Sequence, residues 1–177
     1  MVTCISPTVL PVTNTSDPAA TTPTTTAVNT VQLASVRVLT EDLPRLVRFY
    51  EAITGATAQW LTDDFVELVT PSATFALSHP RRVAFITDKT PRAGANDSAV
   101  VEFLVDDVDA LFARLNAELG EELVVVQSPT MMPWGNQSVL LRDPDGALIN
   151  LYTPVTAQAR QLQRQRQPQL LQPNQSE

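Results

Sequence analysis

The sequence predicts an α+β fold made of two βαβββ modules. Three observations lead there. Asp42 and Gly55 bracket an amphipathic helical pattern, and Asp107 and Gly120 bracket another. Both ends are displaced equally, since 107 − 42 = 65 and 120 − 55 = 65. A strand-like run precedes each helix, Leu33 to Leu39 and Ala99 to Val105. A constant offset over strand, helix and terminator implies two copies of one unit, each needing the other to bury its open face.

The elements follow in order. Residues 1–30 are rich in Thr and Pro and carry one charge, Asp17, so they read as a disordered leader that cannot bury enough apolar surface to offset chain entropy. The folded unit spans 31–154, with modules 31–79 and 98–154 and a linker at 80–97. Val36 and Val38 alternate with Ser35 and Arg37, which is strand spacing. Thr40 or Asp42 caps a helix whose apolar stripe is Leu43, Leu46, Val47, Tyr50 and Ile53, and Gly55 ends it as a left-handed cap. Strands are expected at Thr57 to Leu61, Phe65 to Val69 and Thr74 to Ser78, and Val83 to Ile86 reads as an extra strand or a flap. The second copy has a strand at Val100 to Val105. Its helix turns Val108, Leu111, Leu115 and Leu119 inward and is closed by Gly120. Strands follow at Leu123 to Gln127, Ser138 to Arg142 and Ala147 to Tyr152, the last two joined by the turn Asp143-Pro144-Asp145-Gly146. Residues 155–177 form a Gln- and Arg-rich tail, solvated and partly helical.

Bulk properties exclude several function classes. A net charge of −7 and a pI near 4.6 lack the basic stripe that nucleic acid or an anionic membrane surface would demand. No apolar run approaches the ~20 residues that span a bilayer. The N-terminus lacks the pattern of a secretory signal, and a single cysteine, Cys4, allows no intrachain disulfide; both fit a cytoplasmic protein.

Three runs carry a resemblance. The Asp42 to Tyr50 segment reads Asp-Leu-x-x-x-x-x-Phe-Tyr. The other two are Asp106-Asp107-Val108-Asp109-Ala110 and Arg142-Asp143-Pro144-Asp145-Gly146. With the doubled βαβββ order they resemble the vicinal oxygen chelate superfamily, which contains glyoxalase I, extradiol dioxygenases and bleomycin-resistance proteins. The resemblance covers about residues 31 to 154. It implies that each module curls into a cup of mixed sheet, that the cups pair around a ligand cavity, and that the protein is a homodimer. It also implies four metal-ligand places, which fall here on Ser35, Ala76 or Leu77, Val100 and Asn150. A divalent metal needs three or four N, O or S donors, and this set cannot supply them. The expectation is therefore no metal and no cofactor.

Alternation then says what lines the cups. If Ser35 faces the cavity, so do Arg37 and Leu39; if Val100 does, so do Glu102 and Leu104. Arg37 and Glu102 share the offset, 102 − 37 = 65, so two opposite charges are expected in one cavity. They form either an ion pair at the junction of the halves or a ligand-binding couple. As a catalytic pair, Glu102 would be the base and Arg37 the oxygen-binding cation. Asn150 and Tyr152 join them, with Thr74, Ala76 and Ser78 from the other half. The loop Thr130 to Asn136, with Met132 and Trp134, is either an adaptable apolar rim or a plug at the sheet end. Trp60 lines the first cup or lies in the core. His79, the only histidine, reads as a strand-end residue.

The ligand-binding set expected from sequence is therefore Ser35, Arg37, Glu102, Leu104, Met132, Trp134, Asn150 and Tyr152. The functional expectation is a small organic molecule held in a metal-free cavity, as in the bleomycin-resistance branch. The alternative is a lyase, isomerase or dioxygenase of the same superfamily, either metal-free or with a non-standard metal site.

Overall fold

The computed structural model describes residues 33–84 and 91–166. The expected leader and the end of the tail lie outside the described residues. The described elements run β1 (Ser35–Leu39), α1 (Leu43–Thr54), β2 (Gln59–Thr62), β3 (Phe65–Val69), β4 (Thr74–Ser78) and α2 (Arg81–Ala84). The second half continues with β5 (Val100–Leu104), α3 (Val108–Leu119), β6 (Val124–Met131), β7 (Asn136–Arg142), β8 (Leu148–Pro154) and α4 (Ala157–Arg166).

Two four-stranded mixed sheets result, ordered β1-β4-β3-β2 and β5-β8-β7-β6. In each, the first strand pairs in parallel with the last strand of its module, Ser35 opposite Thr74 and Val100 opposite Leu148. The other pairings are antiparallel. Both long helices start on an aspartate. Asp42 accepts from the Arg45 amide at 3.1 Å and Asp107 from the Ala110 amide at 3.0 Å. These bonds satisfy N–H groups that have no partner inside the helix. Thr40 does not cap α1; its hydroxyl accepts from the Asp42 amide and so sets the cap residue itself. Gly55 takes φ 66° and ends α1 in the left-handed region.

One core joins the halves. Leu46, Tyr50, Leu68, Leu77, Leu115, Leu141, Ile149 and Leu151 are fully buried in it. The Tyr50 ring lies 4.4 Å from Phe75, and Phe75 lies 5.8 Å from Phe103 across the junction. The Tyr50 hydroxyl donates to Asp143 Oδ2 at 2.9 Å, tying α1 to the second module's hairpin turn. Arg114 reaches back to the Ala52 carbonyl at 2.6 Å, and Arg45 to the Pro144 carbonyl.

Two expectations are corrected. Val83 and Ala84 are not strand; they close the short helix α2 after Pro80, and residues 85 and 86 lie outside the described residues. The segment Thr130 to Asn136 is not a broad loop. β6 runs through Met131 and β7 begins at Asn136, leaving a tight turn in which the Gly135 amide donates to the Met132 carbonyl at 2.9 Å. Register shifts after Val125 and after Gln127 break the alternation along β6, so its second half does not read as strand in the sequence.

Candidate functional site

Each sheet packs one face on the helices and leaves the other open. Val38, Val101, Phe103 and Val105 pack against the core, so the residues between them point the other way. Arg37, Glu102 and Leu104 thus lie on the open faces, together with Ala76 (opposite Arg37) and Asn150 (opposite Glu102).

The two charges do not meet. Arg37 makes no ion pair among the described residues, and its guanidinium lies 4.8 Å from the centre of the Phe65 ring. Phe65 is on β3, so the Arg37 side chain crosses β4 to reach it. An exposed ion pair gains little over water, and a cation over an aromatic face is attracted by the ring quadrupole. Arg82 shares the same ring at 5.6 Å and pairs with Asp64, as Arg81 does. These arginines hold the Asp64 carboxyl below the usual aspartate range, the Arg81 hydrogen bond contributing most.

Glu102 has a different partner. Asn150 Nδ2 donates to its Oε1 at 2.7 Å, which fixes the direction of the amide and leaves Asn150 Oδ1 buried without a donor. Glu102, Leu104 and Tyr152 line a cleft of about 440 Å3 that wraps around β5, the terminal strand of its sheet. The turn Thr70 to Ser72 and the end of α1 form the opposite wall, and Gln163 and Arg166 of α4 form a third. The Tyr152 hydroxyl contacts Gln163 Oε1 at 3.3 Å. Burial raises the Tyr152 phenol above its ordinary range; Glu102 adds to this and Arg166 opposes it, so the phenol stays a donor at neutral pH.

The remaining expected residues lie elsewhere. Ser35 is exposed at the start of β1. Trp134 is 64% exposed on the β6–β7 turn, and neither it nor Met132 lines the cleft. Trp60, 48% exposed, lies beside Pro44 and Arg48 of α1, on the helix side rather than in a cup or the core. A larger groove of about 720 Å3 runs between the start of α1 and residues 91–95. There Asp42 is already a cap, and Arg45 and Asp145 already pair.

The expected tail is partly helical, as α4 is, but neither α4 nor the Thr70 to Ser72 turn was expected as a wall of the cleft. The signal for α4 was present: Thr156 caps it through the Ala159 amide, and Ala159, Gln163 and Arg166 recur at helical spacing. Gly135 makes room for it. A Cβ on that glycine would stand 2.1 Å from Thr156 Oγ1, and the Gly135 carbonyl accepts from the Val155 and Thr156 amides.

A model of the glyoxalase/bleomycin resistance protein/dioxygenase superfamily matches residues 32–151. The chain belongs to this superfamily. Solved structures agree on the fold. One is a glyoxalase/bleomycin resistance protein/dioxygenase family enzyme from Burkholderia phytofirmans, 17% identical with a TM-score of 0.60; the match covers 71% of this chain and 100% of that one. Another, a glyoxalase/bleomycin resistance protein/dioxygenase from Nocardioides, is 18% identical with a TM-score of 0.60, covering 73% of this chain and 87% of that one. No curated protein matches the chain. Among the described residues no helix is long and apolar enough to cross a membrane.

Alternation settles the superfamily's β4 metal place on Ala76, since Leu77 points into the core. Ala76 and Val100 carry no donor, and Asn150 is committed to Glu102 through its amide nitrogen. Among the described residues no three His, Cys, Asp or Glu side chains come together. The donor set does not fit a metal ion.

Proposed function

We propose that this protein binds a small organic molecule, without a metal, in the cleft around β5. One observation carries the reading. Glu102, Leu104 and Tyr152, adjacent on β5 and β8, line a 440 Å3 space walled by both modules and by α4. That volume falls within the ~300–1,000 Å3 of small-molecule sites. Leu104 and Phe103 supply apolar contact, and Glu102 and Tyr152 supply polar direction. The superfamily resemblance supports a homodimer as the assembled form.

Native mass spectrometry of the full chain tests the reading. An organic molecule should be retained by the wild type and lost on Leu104→Arg, which fills the cleft. A stoichiometric zinc, iron, nickel or manganese ion would overturn it.

A second reading has one finding in its favour. Because Arg37 stacks on Phe65, Glu102 forms no ion pair with an arginine among the described residues. In a metal-free isomerase or lyase, Glu102 would then take the substrate proton and Tyr152 would donate one. Solvent deuterium incorporated into the retained molecule, and lost in Glu102→Gln, would favour turnover over sequestration.

A further inference from the structure

We infer that the ligand of the β5 cleft is a zwitterion, with an ammonium-type group seated on Glu102 and a carboxylate seated on Arg166. The inference rests on the proposed reading of that cleft as the binding site. Both charges line the same cleft, Glu102 from β5 and Arg166 from the last turn of α4. Among the described residues neither belongs to an ion pair, with the other or with any third group. Their charged atoms are thus more than 4 Å apart, and neither charge neutralises the other.

The floor end is short of donors. Asn150 donates an amide N–H to Glu102 Oε1, and its own Oδ1 is buried without a partner. The Glu102 carboxylate, which lines the cleft, only accepts hydrogen bonds, and an ammonium group brings three donors and no acceptor. Asn150 acts here as a positioning residue, holding the carboxylate in one orientation. The roof end is the reverse. Arg166 offers a planar fork of donors that matches a carboxylate in two bonds. Tyr152 lines the cleft with them; burial raises its phenol most, Glu102 raises it further and Arg166 lowers it. Phe103 and Leu104 provide the apolar wall for the rest of the molecule. An amino acid, or a short peptide with free ends, has this charge layout and fits the cleft volume.

Three probes of one skeleton test the idea: phenylalanine, phenethylamine and 3-phenylpropionate. They are titrated into the full chain with isotope-labelled Leu104 and Tyr152 resonances as the readout. Phenylalanine should bind about tenfold or more tightly than either single-charge analogue, the size expected for a charge-assisted hydrogen bond. Arg166→Gln should reduce phenylalanine to the phenethylamine level, and Glu102→Gln to the 3-phenylpropionate level. If a single-charge probe shifts the cleft resonances with equal affinity, the zwitterion is wrong and the site stands. If none of the three shifts them, both are wrong. Circular dichroism of each variant separates lost binding from lost fold.

Discussion

Replacing Tyr50 with Phe isolates one of the bonds that tie the two modules together. The ring stays packed on Phe75, and only the hydroxyl leaves. Tyr50 is 0% exposed and Asp143 2%, so water cannot replace the lost donor. A hydrogen bond to a charged acceptor contributes about 1.5–3 kcal/mol. Asp143 Oδ1 keeps the Asp145 and Ala147 amides at 3.0 and 2.8 Å, so a loss near the middle of that range, about 2 kcal/mol, is expected. For a chain of this size that lowers Tm by about 4–8 °C.

The pH dependence follows from Asp143. Burial raises its carboxyl above the ordinary value, and the Tyr50 hydrogen bond is the first of the opposing influences. A group with a raised folded pKa contributes stability that is present below its unfolded pKa and lost as pH rises through the folded one. Removing the phenol raises the folded pKa further. The deficit of Tyr50→Phe should therefore be small at pH 4 and largest at pH 8. Urea denaturation followed by circular dichroism, at micromolar protein and both pH values, measures it. A deficit below about 0.5 kcal/mol at pH 8, or an equal one at pH 4, would refute the reasoning.

Two further predictions concern the open faces. In a double-mutant cycle of Arg37→Met and Glu102→Gln, the coupling should not exceed about 0.5 kcal/mol, because the two side chains share no partner; a coupling above 1 kcal/mol by urea denaturation would restore the ion pair. Gly135→Ala should undock α4, since the new methyl would meet Thr156 Oγ1 at a φ of +92°. Trypsin should then cleave at Arg160 and Arg164 many times faster than in the wild type, while hydrogen exchange in β7 and β8 stays unchanged; equal cleavage rates would show that α4 needs no such notch.

Much of the fold was legible because its signals are local. Asp42 and Asp107 mark helix starts through bonds made within three residues, and Gly55 marks an end through its own backbone freedom. Strand alternation separates Val101 and Phe103 from Glu102 and Leu104 without any knowledge of the partner sheet. The candidate site was legible only in part. Glu102, Leu104 and Tyr152 come together as alternation and register require, and Asn150 stands beside them. Met132 and Trp134 do not, because the β6–β7 turn that carries them belongs to the edge of the sheet opposite β5. Phe65 could have been found, since it alternates onto the face of Ser78 and Ala76, but its capture of Arg37 depends on a side chain crossing a whole strand.

The amino-acid order alone determined the duplication, the extents of the two long helices, the faces on which the residues of β1, β5 and β8 stand, and the superfamily. All of these depend on periodicity, on backbone conformation at single residues, or on bonds spanning a few positions. Tertiary structure alone decided which open-face residues share a space. Arg37 and Glu102, equivalent by repeat, end with unrelated partners, one an aromatic ring and the other an amide. α4, polar enough to pass for a solvated tail, becomes a wall because Gly135 lets Thr156 approach and Ala159 bury. Such choices turn on distances between residues far apart in the chain, where competing partners differ by one or two hydrogen bonds and no local pattern records the winner.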